Sequence, residues 1–239
     1  MKLHHPAAAG ALALLLTIPG IGLAADKTYD NLPAFTGVKI ASGIDAIVTV
    51  GPAQSIVGSA PNADHLSEIK VEVRDGTLRV WRDWDFFELF GLAGRDTQVR
   101  FTIAAPRLDS AEASSGAEVE VSGLAGETVW LEASSGAGLK TTDIQATNID
   151  VDASSGGTVT ANGTCTDLEV ESSSGASANL DMLTCTNAEA EASSGASTSI
   201  SIGGDLRAEA SSGASIKVKG TPKTTKIEES SGGSVSLGD

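Results

Sequence analysis

From Asp109 to Asp239 apolar and polar residues alternate in short runs, and the alternation restarts at a nearly fixed interval. The tripeptide Ser-Ser-Gly marks each restart. It occurs seven times, with its glycines at Gly116, Gly136, Gly156, Gly175, Gly195, Gly213 and Gly232, so the steps are 18 to 20 residues. Aligned on that glycine, mostly aliphatic columns stand seven and five residues before it (Val129 and Leu131, Leu168 and Val170) and three and five after it (Ile216 and Val218). Alternation with period two marks a strand with one buried face. Each repeat therefore predicts a strand, a bend at Ser-Ser-Gly and a second strand.

One such coil cannot bury its own apolar face, but a stack of coils can. The expected fold is all-β: a right-handed parallel β-helix with about 19–20 residues per coil, its equivalent strands about 4.8 Å apart. A left-handed hexapeptide helix would want an aliphatic residue every six, a period this chain lacks. Glycine reaches positive φ without a Cβ penalty and so can turn every coil. Ala or Gly follows each corner (Ala117, Ala137, Gly157, Ala176, Ala196, Ala214, Gly233), which predicts a cramped inner position. Simple alternation points the second serine, Ser115 and its equivalents, inward, where stacked hydroxyls would bond one to the next. A motif present seven times reads as structure, not as a nucleophile.

Upstream the β pattern is less regular. Phe35–Ile40 and Ile44–Val50 alternate around Ala41-Ser42-Gly43-Ile44-Asp45, a degenerate first copy of the bend. Further strands are expected at Ser55–Val57, Ile69–Val73, Thr77–Trp81 and Gln98–Ala104, with Asp75-Gly76 as a hairpin turn. Residues 25–108 are thus expected to form irregular N-terminal coils capping the helix, and 109–239 the regular repeat. Residues 1–24 read as a signal peptide: Lys2, an apolar run from Ala7 to Ile18, then Pro19-Gly20 and the small residues before Ala25. The run is too short to span a membrane. The expected location is the periplasm, the extracellular space or the cell envelope, without membrane insertion.

Composition adds three constraints. Aromatics are only 4%, which suits a thin aliphatic core. The formal charge of −15 argues against nucleic acid and anionic membranes as partners. Cys165 and Cys185 each stand ten residues before a corner glycine, in matching Thr-Cys-Thr tripeptides, so they share a column on adjacent coils. That spacing fits a disulfide, and an oxidising compartment allows one.

The segment Phe35–Val50 with Ser42-Gly43-Ile44-Asp45, the proline at Pro106 and the serial Ser-Gly bends resemble the head GIN domain family of bacterial autotransporter adhesins. The likeness covers nearly all of the mature chain, with Asp45 where the family name has Asn. It implies a right-handed β-helix, an envelope or extracellular setting, a role in adhesion and no established catalytic residues. No segment after Asp109 reads as membrane-barrel strands.

Two candidate surfaces follow. Four residues before each glycine stand Glu112, Glu132, Asp152, Glu171, Glu191, Glu209 and Glu228, an outward acidic column. With Asp150, Glu169 and Glu189 two residues earlier, three adjacent coils gather Asp150, Asp152, Glu169, Glu171, Glu189 and Glu191. Such a cluster is a candidate for Ca²⁺ or for a partner, against the plainer reading of a solvated face that keeps the sheet soluble. The second surface is aromatic: Trp81, Trp84, Phe86, Phe87 and Phe90 form a docking platform or a lid over the fold. Paired carboxylates such as Asp150 and Asp152 can act as acid and base. However, catalysis needs one asymmetric cleft, and only His65 remains once the leader is gone. The expectation is a non-catalytic adhesion or structural module that meets a cell-surface glycan, a protein or its own copy. The alternative is a secreted polysaccharide-binding or polysaccharide-cleaving protein using its acidic face.

Overall fold

The computed structural model describes residues 25–82 and 98–238. The expected leader, and Trp84, Phe86, Phe87 and Phe90 of the aromatic segment, lie outside the described residues. The rest is nearly all β, a solenoid of about six turns.

A short strand β1 (Ala25–Thr28) leads into the first coil, β2 (Gly37–Ile40), the corner Ser42-Gly43 and β3 (Asp45–Val50). The chain then leaves the stack through β4 (Ser55–Ala60), the helix α1 (Ala63–Ser67), β5 (Ile69–Arg74), β6 (Thr77–Arg82) and β7 (Arg100–Ala105). It re-enters as β8 (Ser110–Ala113) and β9 (Glu118–Ser122), followed by β10 (Ala125–Ala133), β11 (Gly138–Ala153), β12 (Thr158–Ser172) and β13 (Ser177–Ala192). Shorter strands close the repeat: β14 (Ser197–Ile202), β15 (Asp205–Ala210), β16 (Ser215–Lys219), β17 (Thr224–Glu229) and β18 (Ser234–Gly238).

The excursion closes one end of the stack. On one side β2 pairs in parallel with β8, its solenoid neighbour, and on the other with β6. Likewise β3 lies between β9 and β7. Outside β6 and β7 the direction reverses: β5 pairs antiparallel with β6, β4 with β7, and β1 with β4. Helix α1 packs on β4, β1 and β5, and its Leu66 is buried. Gly58 makes this closure possible. A Cβ there would stand 2.9 Å from Phe101 and 3.3 Å from Leu66. The expected hairpin is present, with Asp75 at φ 52° and Gly76 at φ 76°. His65 lies in α1, where its backbone N–H donates to the capping Asn62 side chain.

The Ser-Ser-Gly corner is a type I′ turn. In each repeat the second serine and the glycine both have positive φ, as at Ser174 (53°) and Gly175 (71°). The residue after them closes the turn, with Ala176 N–H donating to Ser173 O at 3.1 Å. Two left-handed residues in succession break the alternation. Ser115 and its equivalents are therefore exposed, not inward as simple alternation predicts. The hydroxyl stack expected inside does not form. Main chain carries the stacking instead. Each corner glycine donates to the second serine of the next corner: Gly43 to Ser115, Gly116 to Ser135, Gly136 to Ser155, and onward to Gly213 on Ser231, all at 3.0–3.2 Å. The residue after the glycine is buried at the first six of the seven corners, as the Ala/Gly restriction predicts, and half-buried at Gly233 on the last coil. At Gly157 an added Cβ would meet Ala133 O at 2.2 Å.

The core is thin and aliphatic, with Leu131, Leu139, Val159, Val170, Leu180 and Ile200 buried. Two polar intrusions satisfy each other: Ser172 and Thr198 share a buried hydrogen bond of 2.5 Å. Cys165 and Cys185 are register partners on β12 and β13 and form a disulfide, with Cα atoms 4.5 Å apart and a sequence separation of 20 residues.

The corner geometry sets the cost of changing it. Gly175→Ala places an L side chain at φ 71° and should lower unfolding free energy by about 1–2 kcal/mol. Ser174→Gly removes the same strain one residue earlier and should be neutral or stabilising in the same denaturant titration. Reducing the disulfide should cost about 3 kcal/mol, the loop-closure value for a ring of this size, read as a lower urea midpoint with reductant than without.

Candidate functional site

The parallel register converts sequence columns into straight rows on the surface. Glu112, Glu132, Asp152, Glu171, Glu191, Glu209 and Glu228 are consecutive register partners from β8 to β17. Beside them runs a second row: Ser110, Trp130, Asp150, Glu169, Glu189, Arg207 and Lys226. A third row, at the corner before these strands, is Thr128, Asn148, Asp167, Asn187, Asp205 and Thr224. It is internally bonded: Asn187 donates to Asp167 at 2.8 Å, and Thr224 to Asp205 at 2.6 Å. The six predicted carboxylates thus lie together on β11, β12 and β13.

Basic residues neutralise the rows at both ends. The register continues from Glu112 to Lys39 on β2 and Arg79 on β6, and Lys39 bonds Glu112. At the other end Arg207 reaches Glu189 at 2.9 Å and also bonds Glu209, while Lys226 reaches Glu228 at 2.8 Å. Between these ends, Glu132, Asp150, Asp152, Glu169, Glu171 and Glu191 have no cation within ion-pair distance among the described residues. Glu191 is held above the usual carboxylate range, first by desolvation and then by the charges of Glu209, Glu171 and Glu189, with Arg207 opposing. Glu132 is raised in the same way, by burial and then by Glu112 and Asp152, against the pull of Lys39. Glu228 moves down because Lys226 donates to it.

The rows do not make a metal cage. Among the described residues no three carboxylate, imidazole or thiolate groups converge on one point. Strands hold their carboxylates about 4.8 Å apart in a line, and no described loop folds over them to complete an oxygen shell.

One residue of the site escapes the acidic pattern. Trp130 is 54% exposed and occupies the second row between Ser110 and Asp150. With Glu112, Glu132, Asp150, Asp152 and Glu169 it lines one shallow cleft. Its signal was legible, because it stands six residues before Gly136, in an outward column where other repeats carry Ser, Asp, Glu, Arg or Lys. Trp81, the described member of the aromatic candidate, is half-buried on β6 and lines a separate pocket with Lys39, Ser42, Glu72 and Arg79.

Residues 34–222 match the family described as "Putative auto-transporter adhesin, head GIN domain". The chain belongs to this head GIN family. Its fold is similar to the crystal structure of a "putative adhesin" from Bacteroides fragilis, with a TM-score of 0.79 at 16% identity, covering 89% of this chain and 96% of that one. A "putative adhesin" from Parabacteroides distasonis gives a TM-score of 0.62 at 14% identity, covering 90% of this chain and 96% of that one. A "putative lipid binding protein" from the same species gives 0.66 at 15% identity, covering 90% and 97%. At such identities the likeness is one of fold. No curated protein matches the chain in sequence. No helix among the described residues is long and apolar enough to cross a membrane.

The raised titration of Glu191 has a defined sign. The folded state binds its proton more tightly than the unfolded chain does, so this carboxyl contributes instability at neutral pH that disappears as pH falls through its folded value. Glu191→Gln should raise the melting temperature by about 2 °C at pH 7, the scale of one relieved cross-strand repulsion. The gain should shrink to nothing near pH 4, where wild type is protonated as well.

Proposed function

We propose that this head GIN chain is an exported, non-catalytic adhesion module that holds a cell-surface partner, glycan or protein, on its acidic face around Trp130. The observation that carries the reading is the exposed indole of Trp130 beside Glu132, Asp150, Asp152 and Glu169, which pair with no cation among the described residues. An exposed ring supplies a flat apolar contact for a sugar face or a partner side chain. The surrounding carboxylates accept hydrogen bonds from hydroxyl, amide or ammonium groups. The site stands on strands in the middle of a disulfide-linked stack, so little ordering cost falls due on binding. The adhesin descriptions of the family and of its fold neighbours support the same role. Against turnover stands the repetition of the described surface, in which carboxylates recur at the same two positions from coil to coil.

The test is a binding screen of wild type and Trp130→Ala against immobilised bacterial and host surface glycans and envelope proteins. Wild type should retain a partner. Trp130→Ala should lose about 10-fold or more in affinity while its melting temperature stays within about 2 °C of wild type. Equal binding by the two proteins would exclude this face. Hydrolysis or elimination of an acidic polysaccharide, abolished by Asp152→Asn, would replace the adhesion reading with the enzymatic one.

A further inference from the structure

The two ends of the solenoid are built differently. The β2–β3 end is closed by β6, β7, the antiparallel strands beyond them and α1. At the opposite end β17 pairs only with β15, and β18 only with β16, among the described residues. The corner ladder stops there as well: Gly213 donates to Ser231, and no described carbonyl continues the series beyond Gly232. Yet the last coil is composed like an interior one. Ile227, Val235 and Leu237 occupy the columns that hold Ala208, Ile216 and Val218 one coil earlier. Those three are 0% exposed, whereas Ile227 is 38% and Leu237 51% exposed. Glu229 occupies the inward column that holds Ala113, Ala133, Ala153, Ser172, Ala192 and Ala210 in earlier coils, and it accepts the Val235 N–H at 2.5 Å.

We infer that this end is an interface with a second copy of the chain, in which β17 pairs antiparallel with its own counterpart, centred on Ile227. The argument is self-complementarity. An antiparallel pair centred on Ile227 sets Ile227 against Ile227 of the partner subunit, at the apolar core edge. The same register sets Lys226 against Glu228 of the partner subunit, and Glu228 against Lys226 of the partner subunit, on the outer face. Thr225 then faces Glu229 of the partner subunit, a hydroxyl donor against a carboxylate. The backbone groups along the open edge of β17 gain partners in the same step. Within its own coil stack the register sets Lys226 beside Arg207 and Glu228 beside Glu209, both like-charge neighbours, and Lys226 turns along its own strand to Glu228 at 2.8 Å instead. The alternation of Lys226 and Glu228 therefore suits a reversed copy better than it suits the coil beneath. Such a contact is isologous, and because the other end is closed, assembly stops at two.

Charge reversal tests the register without threatening the fold. Lys226→Glu relieves the repulsion with Arg207 but gives up the exposed Lys226–Glu228 pair within the strand, a small change for the protomer. The variant's melting temperature, read beside the association, should stay within about 3 °C of wild type. In the proposed pair, however, Lys226→Glu places two carboxylates opposite one another, twice. Sedimentation velocity of the full chain, from micromolar to several hundred micromolar protein, should show wild type passing from monomer to dimer. Lys226→Glu should weaken that association about 100-fold, and the double variant Lys226→Glu/Glu228→Lys should restore it to within about threefold of wild type. A wild type that stays monomeric throughout, a dimer indifferent to Lys226→Glu, or growth beyond the dimer into filaments would each overturn the inference. This interface is remote from Trp130 in the register of strands, so loss of partner binding in Trp130→Ala neither supports nor removes it.

Discussion

Every surface on this protein inherits its order from one repeated backbone contact, the hydrogen bond from a corner glycine to the corner serine of the next coil. Eight Ser-Gly corners share left-handed backbone at both residues, from Ser42-Gly43 to Ser231-Gly232. A type I′ turn fixes the angle between its two strands. Linking each turn to the next fixes the height of one coil over another. With angle and height both set, strands of successive coils can meet only in one register, and a slip of one residue would turn every aliphatic side chain out to solvent. The serine in the left-handed region is a local cost, and the continuous parallel ladders it aligns offset it.

That register explains why the outer face is so acidic in so narrow a band. A residue type repeated at one position of a 20-residue motif becomes a row on the surface, whatever its charge. Like charges in a row repel, and the chain relieves this at the ends, with Lys39 and Arg79 at one and Arg207 and Lys226 at the other. Among the described residues, the middle of the two rows holds carboxylates and one indole, with no cation between them. A protein selected only for solubility has no need to concentrate its charge this way, because scattered charges of both signs serve better.

The ends differ for a physical reason too. A solenoid coil is half of a buried layer, and its last copy exposes apolar side chains unless something lies on it. One end solves this within the chain, by an excursion whose outermost strands run antiparallel and so cannot continue the parallel stack. Phe101, Leu66 and the gap left by Gly58 are the centre of that closure. The β17–β18 end keeps the aliphatic columns of an interior coil.

Much of this was legible in the chain before any fold was seen. The spacing of Ser-Ser-Gly set the coil length, the aliphatic columns set the buried face, and the Thr-Cys-Thr pair set the disulfide, because strictly periodic sequence leaves one economical arrangement. The acidic rows followed from the same alignment. Other features needed the folded molecule. Alternation alone points Ser115 and its equivalents inward, since it takes no account of two successive left-handed residues; only the turn's geometry turns them out. The closure by β4 to β7 was hidden because its contacts, such as Gly58 with Phe101, join residues far apart in sequence and follow no period. The setting of Trp130 among carboxylates with no described cation partner depended on where Lys39 and Arg207 end up, and that is decided by the stacking of coils. Sequence by itself determined the repeating unit, whose interactions are local and periodic. Tertiary structure alone decided the ends of the stack and the partners of each charge, which depend on long-range contacts that occur once.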